Sequence, residues 1–369
     1  MSQSYDDSPP IDLKELRSRI DTLDQALVEV LGERAKLVVE VGRTKRQDGT
    51  PIYAPDREKR VLERALQRHH EAGGPLPDRT IEAIYRELMS GSFSLELPLK
   101  IGYLGPPGTF SHVAAVSHFG SSVELVELPA IDAVFEEVAA GRANYGLVPY
   151  ENSVGGSVTD TLDSFREHEV TIYAEAQVEV NQSLLANCPF EEIQEIHSKP
   201  QAFTQCRRWL QDRLPNVECV PRASTALAVQ AASKTPGVAA VGSPFAGELH
   251  GVNVLCERIS DKANNITRFL VIARESALRT GEDRTTILFS TNDSPGALVC
   301  VLNAFRDSGV NLSHIDKRPS GRENWQYTFF IDALGHLDDD SMIQAISAAS
   351  KHCVELRVLG SYPMSQRVL

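Results

Sequence analysis

Two sets of polar residues in this chain have types and spacings that could do chemistry. The first is cationic: Arg34 and Lys45 lie eleven positions apart in a stretch with helical periodicity. On a helix that spacing leaves them ~20° apart in projection and ~16 Å apart along the axis, so both could reach one anionic ligand. Arg17 lies ~25 Å from Arg34 on the same helix and could join them only from a second copy packed antiparallel. Taken alone, such a row of cations is more often a solvated helix face. The second set holds amides, hydroxyls and a carboxylate. Glu151-Asn152-Ser153 precedes the turn Gly155-Gly156, and Thr267 stands at the head of the apolar run RFLVIA. These are groups that donate and accept hydrogen bonds, although a turn rich in polar caps has the same composition. A Gly/Pro loop in YLGPPGTFSHVAA leads into a helix whose N-terminus, near Thr109 to Ser111, could hold a carboxylate.

Three kinds of text must position these residues. From about residue 11 to 96 the apolar spacing is helical, with Ile20, Leu23, Leu27, Leu31 and Val38 in register and no proline until Pro51. A first helix of nearly forty residues would be ~55 Å long, more than a small domain can cover alone. A second helix is expected from Pro55 to the Gly73-Gly74 stop, and a third from about Asp78 to Leu95. From Lys100 to about residue 275, strands such as KIGYLG, YGLVPY and TRFLVIAR alternate with helical stretches. That is the pattern of a layered α/β domain, here in two lobes with a cleft between them. One continuous helix is expected over about Gln201 to Arg213. After the polar stretch RESALRTGEDR, the order is β-α-β-β-α-β, the ferredoxin-like arrangement, with WQYTFFIDA as one strand. The expected domains are therefore 1–97, 98–278 and 283–369.

Bulk properties exclude several classes. The 369 residues carry a formal net charge of −13, and no domain has the basic footprint of a nucleic-acid binder. No apolar run approaches a membrane span, and MSQSYDDSPP is unlike a secretion signal. Six scattered cysteines without a C-x-x-C pair fit a reducing compartment. The ten histidines show no acidic clustering at ligand spacing. The expectation is a metal-free cytoplasmic protein.

The stretches LKELRSRIDTLD, LGERAKLVVEVGRTK and YAPDREKRVL resemble the all-helical chorismate mutases over essentially the whole first domain. The resemblance implies an intertwined homodimer or higher homo-oligomer in which Arg17 enters the other copy's site. It assigns Arg17, Arg34, Lys45, Arg57, Glu58, Ser92 and Glu96 to the substrate pocket, with Lys45 and Glu96 as donors to the breaking ether oxygen. Glu96 could donate only when protonated, and several relatives have glutamine there. The cations suit chorismate, a dicarboxylate whose rearrangement needs no nucleophile and no proton transfer.

GLVPYENSVGGSVTDTLD, HSKPQAFTQC, Ser224-Thr225 and NNITRFLV, in that order, resemble the prephenate dehydratases across residues 100–275. The resemblance implies a two-lobed α/β fold like that of periplasmic binding proteins. Thr267, Glu151 and Asn152 would be catalytic, and Ser153, Ser198, Gln201, Ser224 and Thr225 would bind prephenate. Either Thr267 or a Glu151 whose pKa is raised by burial could serve the departing hydroxyl. NDSPGALVCVLNAF resembles the start of an ACT domain, which implies a phenylalanine effector held by Gly296, Ala297, Leu298, Asp316 and Arg318.

The combined reading is a cofactor-free, bifunctional enzyme that converts chorismate to prephenate and prephenate to phenylpyruvate, with phenylalanine as inhibitor. A non-catalytic sensor and a chain with only the dehydratase active are the alternatives. Arogenate in place of prephenate stays open.

Overall fold

The computed structural model describes residues 12–48, 51–319, 327–365 and 367–368. The expected helix start at Ile11 and the strand residues Trp325 and Gln326 lie outside them. Helices α1 (Leu13–Asp48), α2 (Pro55–Glu71) and α3 (Asp78–Glu96) form the first domain. Pro55 sits at the first helical position of α2, where its missing N–H costs nothing. α1 runs for 36 residues, and Gly42 is its one fully buried residue. A Cβ on Gly42 would stand 2.8 Å from Glu96 Cα, so the glycine is what lets α1 and α3 meet. Elsewhere the apolar stripe of α1 is bare, with Leu23 69%, Leu27 56% and Leu37 63% exposed.

The second domain has two lobes. Lobe one contains β1 (Lys100–Leu104), α4 (Phe110–Phe119), β2 (Glu124–Leu128), α5 (Ile131–Ala139), β3 (Tyr145–Asn152), β4 (Gly156–Ser157), α6 (Thr159–Glu167) and β5 (Thr171–Glu179). Lobe two contains β6 (Ser183–Leu185), β7 (Glu195–Ser198), α7 (Pro200–Gln205), α8 (Arg207–Arg213), β8 (Glu218–Pro221), α9 (Thr225–Lys234), β9 (Val238–Gly242), α10 (Pro244–His250) and β10 (Val254–Cys256). The chain then returns to lobe one as β11 (Ile266–Ala273), giving sheet orders β2-β1-β3-β11-β5 and β10-β6-β9-β7-β8. The chain thus crosses between lobes twice.

The helix expected over Gln201 to Arg213 is instead broken at Cys206 into α7 and α8. The cause is Asp261, whose carboxylate accepts from the backbone amides of Arg208 (3.0 Å) and Trp209 (3.2 Å). It satisfies the free donors of a new helix start.

The third domain has the expected order, β12 (Asp283–Ser290), α11 (Ala297–Asp307), β13 (Leu312–Pro319), β14 (Tyr327–Leu334), α12 (Asp340–Ser350) and β15 (Glu355–Pro363). Its sheet runs β13-β14-β12-β15. One face packs against α11 and α12 through Ile287, Phe289, Val301, Phe305 and Met342. The other joins the core of lobe one through Leu288, Phe330, Leu359 and Tyr362, and that core also takes in Ile52, Tyr53 and Phe93 of the helical domain. Gly360 permits the approach, since a Cβ there would lie 2.3 Å from Ile172 O on β5. No helix of the described residues is long and apolar enough to cross a membrane.

Candidate active sites

A cleft of about 540 Å³ lies between the lobes, within the usual range for small-molecule sites. Its walls include Asn152, Gln201, Ser224, Thr225 and Thr267, brought together from four separated segments. Two ten-residue helices start at this cleft. Thr109 caps α4 and Ser224 caps α9, each side-chain oxygen accepting an amide hydrogen of the first turn. Helix N-termini suit anions because their amides are unpaired and the dipole is positive there. Lys199 lines the same cleft and is exposed.

Strands β3 and β11 pair antiparallel with Thr267 opposite Asn152. Asn152 Nδ2 donates to Thr267 Oγ1 at 2.9 Å and to Asn265 Oδ1 at 2.7 Å. Its Oδ1 accepts from the amides of Val154 (3.1 Å) and Gly155 (2.7 Å), which fixes the orientation of the side-chain amide. Thr267 Oγ1 therefore accepts from Asn152, and its own hydrogen is left to donate into the cleft. Thr267 is 8% exposed, so that donor acts in a poorly solvated place.

Glu151 stands elsewhere. Successive strand residues point to opposite faces, and Glu151 pairs across the ladder with Arg268 on the face turned to the third domain. His314 beside it holds its carboxyl below the usual carboxylate range, with Arg268 and Arg284 adding to the effect against burial. The expectation of a carboxyl raised by burial is thus corrected. Two serines are taken up by the backbone: Ser198 Oγ donates to Val241 O at 2.7 Å, and Ser153 Oγ accepts from Ile266 N at 3.0 Å and donates to Asn264 O at 3.2 Å.

In the helical domain, Lys45 Nζ lies 2.9 Å from Glu96 Oε2 and donates to Ile52 O at 3.0 Å. An ammonium has three hydrogens, so one remains for a ligand. Arg34 Nη1 donates to Ser92 Oγ at 2.8 Å and to Leu88 O at 3.4 Å. Arg57 and Arg17 are exposed. Glu58 lines a separate cavity of about 200 Å³ with Tyr53, Arg86, Phe93 and Phe119, between the helices and lobe one. Burial pushes its carboxyl up to about 8, against the pull of Arg86 and Lys45.

Residues 16–97 match the chorismate mutase type II family, 101–277 match prephenate dehydratase and 285–350 match the ACT domain. A bifunctional chorismate mutase/prephenate dehydratase of Aquifex aeolicus is 40% identical over 354 residues, covering 95% of this chain and 98% of that relative. One from Stutzerimonas stutzeri is 40% identical over 358 residues, covering 95% and 97%. This chain belongs to the bifunctional chorismate mutase/prephenate dehydratase family. A solved prephenate dehydratase of Arthrobacter aurescens, in complex with L-Phe, is 36% identical, with a TM-score of 0.68 over 72% of this chain and 90% of that one.

In the ACT domain, Gly296 caps α11 with φ +83°, and Ala297 and Leu298 form its first turn. Asp316 and Arg318 lie on edge strand β13. Arg318 is engaged by Asp163 of the dehydratase domain, through Nε at 3.0 Å and Nη2 at 2.5 Å.

Sequence reasoning missed Gln182, which is 3% exposed and lines the dehydratase cleft. Its Nε2 donates to Gln205 at 3.2 Å, while its Oε1 has no partner among the described residues. No periodicity marks it, because it lies in the crossover between lobes. The histidine expectation also needs correction. Asp132, Glu167 and His168 bring ligand atoms within 4.8 Å of one another at the surface. Two are chain neighbours, and Asp132 comes from α5, a proximity no local spacing reveals.

Proposed function

We propose that the chain rearranges chorismate to prephenate in the helical domain and converts prephenate to phenylpyruvate in the inter-lobe cleft. The Asn152–Thr267 pair carries the second assignment. Prephenate loses its ring carboxylate as carbon dioxide and its ring hydroxyl as water. The electron pair of the breaking C–C bond moves into the ring, the C–O bond breaks as the ring becomes aromatic, and the departing hydroxide takes a proton from solvent to become water. Thr267 donates to the departing hydroxyl, and the hydrogen bond it accepts from Asn152 both orients that proton and strengthens the donation. Apolar walls including Ile131, Val158 and Phe269 leave the ring carboxylate poorly solvated, which favours its release. The helix starts at Thr109 and Ser224, with Gln201, Thr225 and Lys199, hold the carboxylates. Glu151 is not the acid.

For the mutase, Lys45 donates to the ether oxygen while Glu96 and Ile52 O hold its ammonium in place. Arg34, steadied by Ser92, binds a carboxylate, and Arg57 borders the pocket, whereas Glu58 lines the separate cavity against lobe one. The bare stripe of α1 supports an antiparallel homodimer in which Arg17 of each copy completes the other's pocket. Phenylalanine acts as inhibitor at the ACT domain, through the α11 start and β13, and the chain works in the cytoplasm without a cofactor. Incubating purified protein with chorismate, and following prephenate and phenylpyruvate separately, tests both activities. Prephenate should appear first and phenylpyruvate after it. A protein that binds chorismate but forms neither product is a sensor.

A further inference from the structure

Strand β11 reads Ile-Thr-Arg-Phe-Leu-Val-Ile-Ala, and its one charge, Arg268, is 8% exposed. Strand β14 has one charge as well, Asp332, which is fully buried. Charges at such positions persist only when paired. Here they pair with each other across the boundary between the dehydratase and ACT domains, Arg268 Nη1 to Asp332 Oδ2 at 2.5 Å.

Every edge of the guanidinium is used. Nε donates to Glu175 Oε2 at 2.7 Å, Nη2 donates to Tyr362 Oη at 2.8 Å, and the plane lies 4.9 Å from the Tyr150 ring centre. The partners are themselves held. Glu175 also accepts from Arg284 at 2.7 Å, and Asp332 Oδ1 accepts from Thr286 at 2.6 Å. Nη1 is 3.9 Å from Glu151, which in turn faces His314 of the ACT domain at 3.6 Å.

What this network grips is decided by strand alternation. Arg268 is the chain neighbour of Thr267, Glu151 that of Asn152, and the ladder pairs Thr267 with Asn152 and Arg268 with Glu151. One face of two adjacent rungs presents the cleft pair, and the other is anchored in a different domain. A strand cannot shift one face without the other. We propose that Arg268 and Asp332 are positioning residues for the dehydration, so that the ACT domain sets the placement of Thr267 through this buried ion pair. The proposal rests on Thr267 and Asn152 being the reacting pair of the cleft.

The test uses the full-length chain. Asp332→Asn keeps the shape and removes the charge. It should lower dehydratase kcat by about 10- to 100-fold, the scale of a small misplacement of catalytic groups, with KM for prephenate changed by less than about threefold and mutase turnover unchanged. Arg268→Gln also releases Glu175 and Tyr362 and should lose at least as much, and the double variant should be no worse than Arg268→Gln, because the contact with Asp332 is already broken there. Tyr362→Phe removes a single hydroxyl with every charge still paired, so it covers the case in which the charge variants fail to fold. It should lower kcat by about three- to tenfold. Wild-type kcat in folded Asp332→Asn or Tyr362→Phe overturns the proposal, and so do additive losses in the double variant. Thr267→Ala separates the two claims. If it retains turnover the cleft assignment fails, whereas loss there with wild-type kcat in the Asp332 and Tyr362 variants sinks only the positioning claim.

Discussion

In the mutase domain long cationic side chains stand beside an apolar stripe that one chain leaves exposed, whereas the dehydratase cleft is enclosed by two lobes of one chain and lined by amides and short hydroxyls. The contrast begins in the elements. A 36-residue helix with a single buried residue cannot cover its own stripe, while two lobes joined by two crossovers enclose their cleft directly. The first site should therefore depend on a partner copy and on ionic strength, and the second on local hydrogen-bond geometry.

The largest expected effect tests the partner. Leu23→Lys combined with Leu27→Lys places charges on the bare stripe of α1, 69% and 56% exposed in one chain. Sedimentation should show monomers, with mutase turnover down by about 10²–10³-fold, because the proposed pairing of the partner copy's Arg17 with a substrate carboxylate is withdrawn. Dehydratase turnover should stay within about threefold of wild type, since the residues lining its cleft come from one chain. An active monomeric mutase would erase the contrast.

Next in size is Thr267→Ala. Loss of one preorganised donor costs ~10²–10³ in rate, so dehydratase kcat should fall by that factor while prephenate affinity changes little. Thr267→Ser should recover much of it. Equal, near-normal turnover in both variants would make Thr267 structural.

A smaller effect concerns salt. Between about 0.05 and 0.5 M the Debye length falls severalfold, and KM for chorismate should rise by several-fold. KM for prephenate, met mainly by helix amides, should rise less. Equal slopes would mean that the cleft also relies on mobile cations.

The smallest concerns Glu58. Its folded pKa of about 8 lies above the ordinary 4.5, so the fold favours the neutral acid. That contribution is full below pH 4.5, declines as pH rises through the window, and is gone above about 8. Against Glu58→Gln, the wild-type melting temperature should drop by a few degrees between pH 5 and 8 and run parallel above it. Parallel curves throughout would show that burial does not hold the proton.

Much of this was legible in the sequence because its signals are local. Pro55 and the Gly73-Gly74 pair bracket α2, and the order of six elements after residue 283 follows from periodicity. Asn152, Gln201, Ser224, Thr225 and Thr267 of the dehydratase cleft were found through separated motifs whose convergence only the fold displays. Glu151 was misplaced although the signal was present. A strand sends neighbours to opposite faces, so Glu151 and Asn152 could not both enter one cleft. A lone arginine in TRFLVIA and a lone aspartate in FFIDA were also visible as charges needing a buried partner. That they are each other's partner depends on docking between domains, which no local pattern encodes.

If the uncovered length of α1 is where two copies pair, as proposed, one polypeptide has two responses to its own abundance. Where chains are scarce relative to the dissociation constant of the pair, mass action makes rearrangement capacity grow as the square of their number, while dehydration capacity grows in proportion. With few copies, rearrangement capacity then falls further than dehydration capacity. Rising expression narrows that gap, since the paired fraction approaches one and both capacities then grow in proportion.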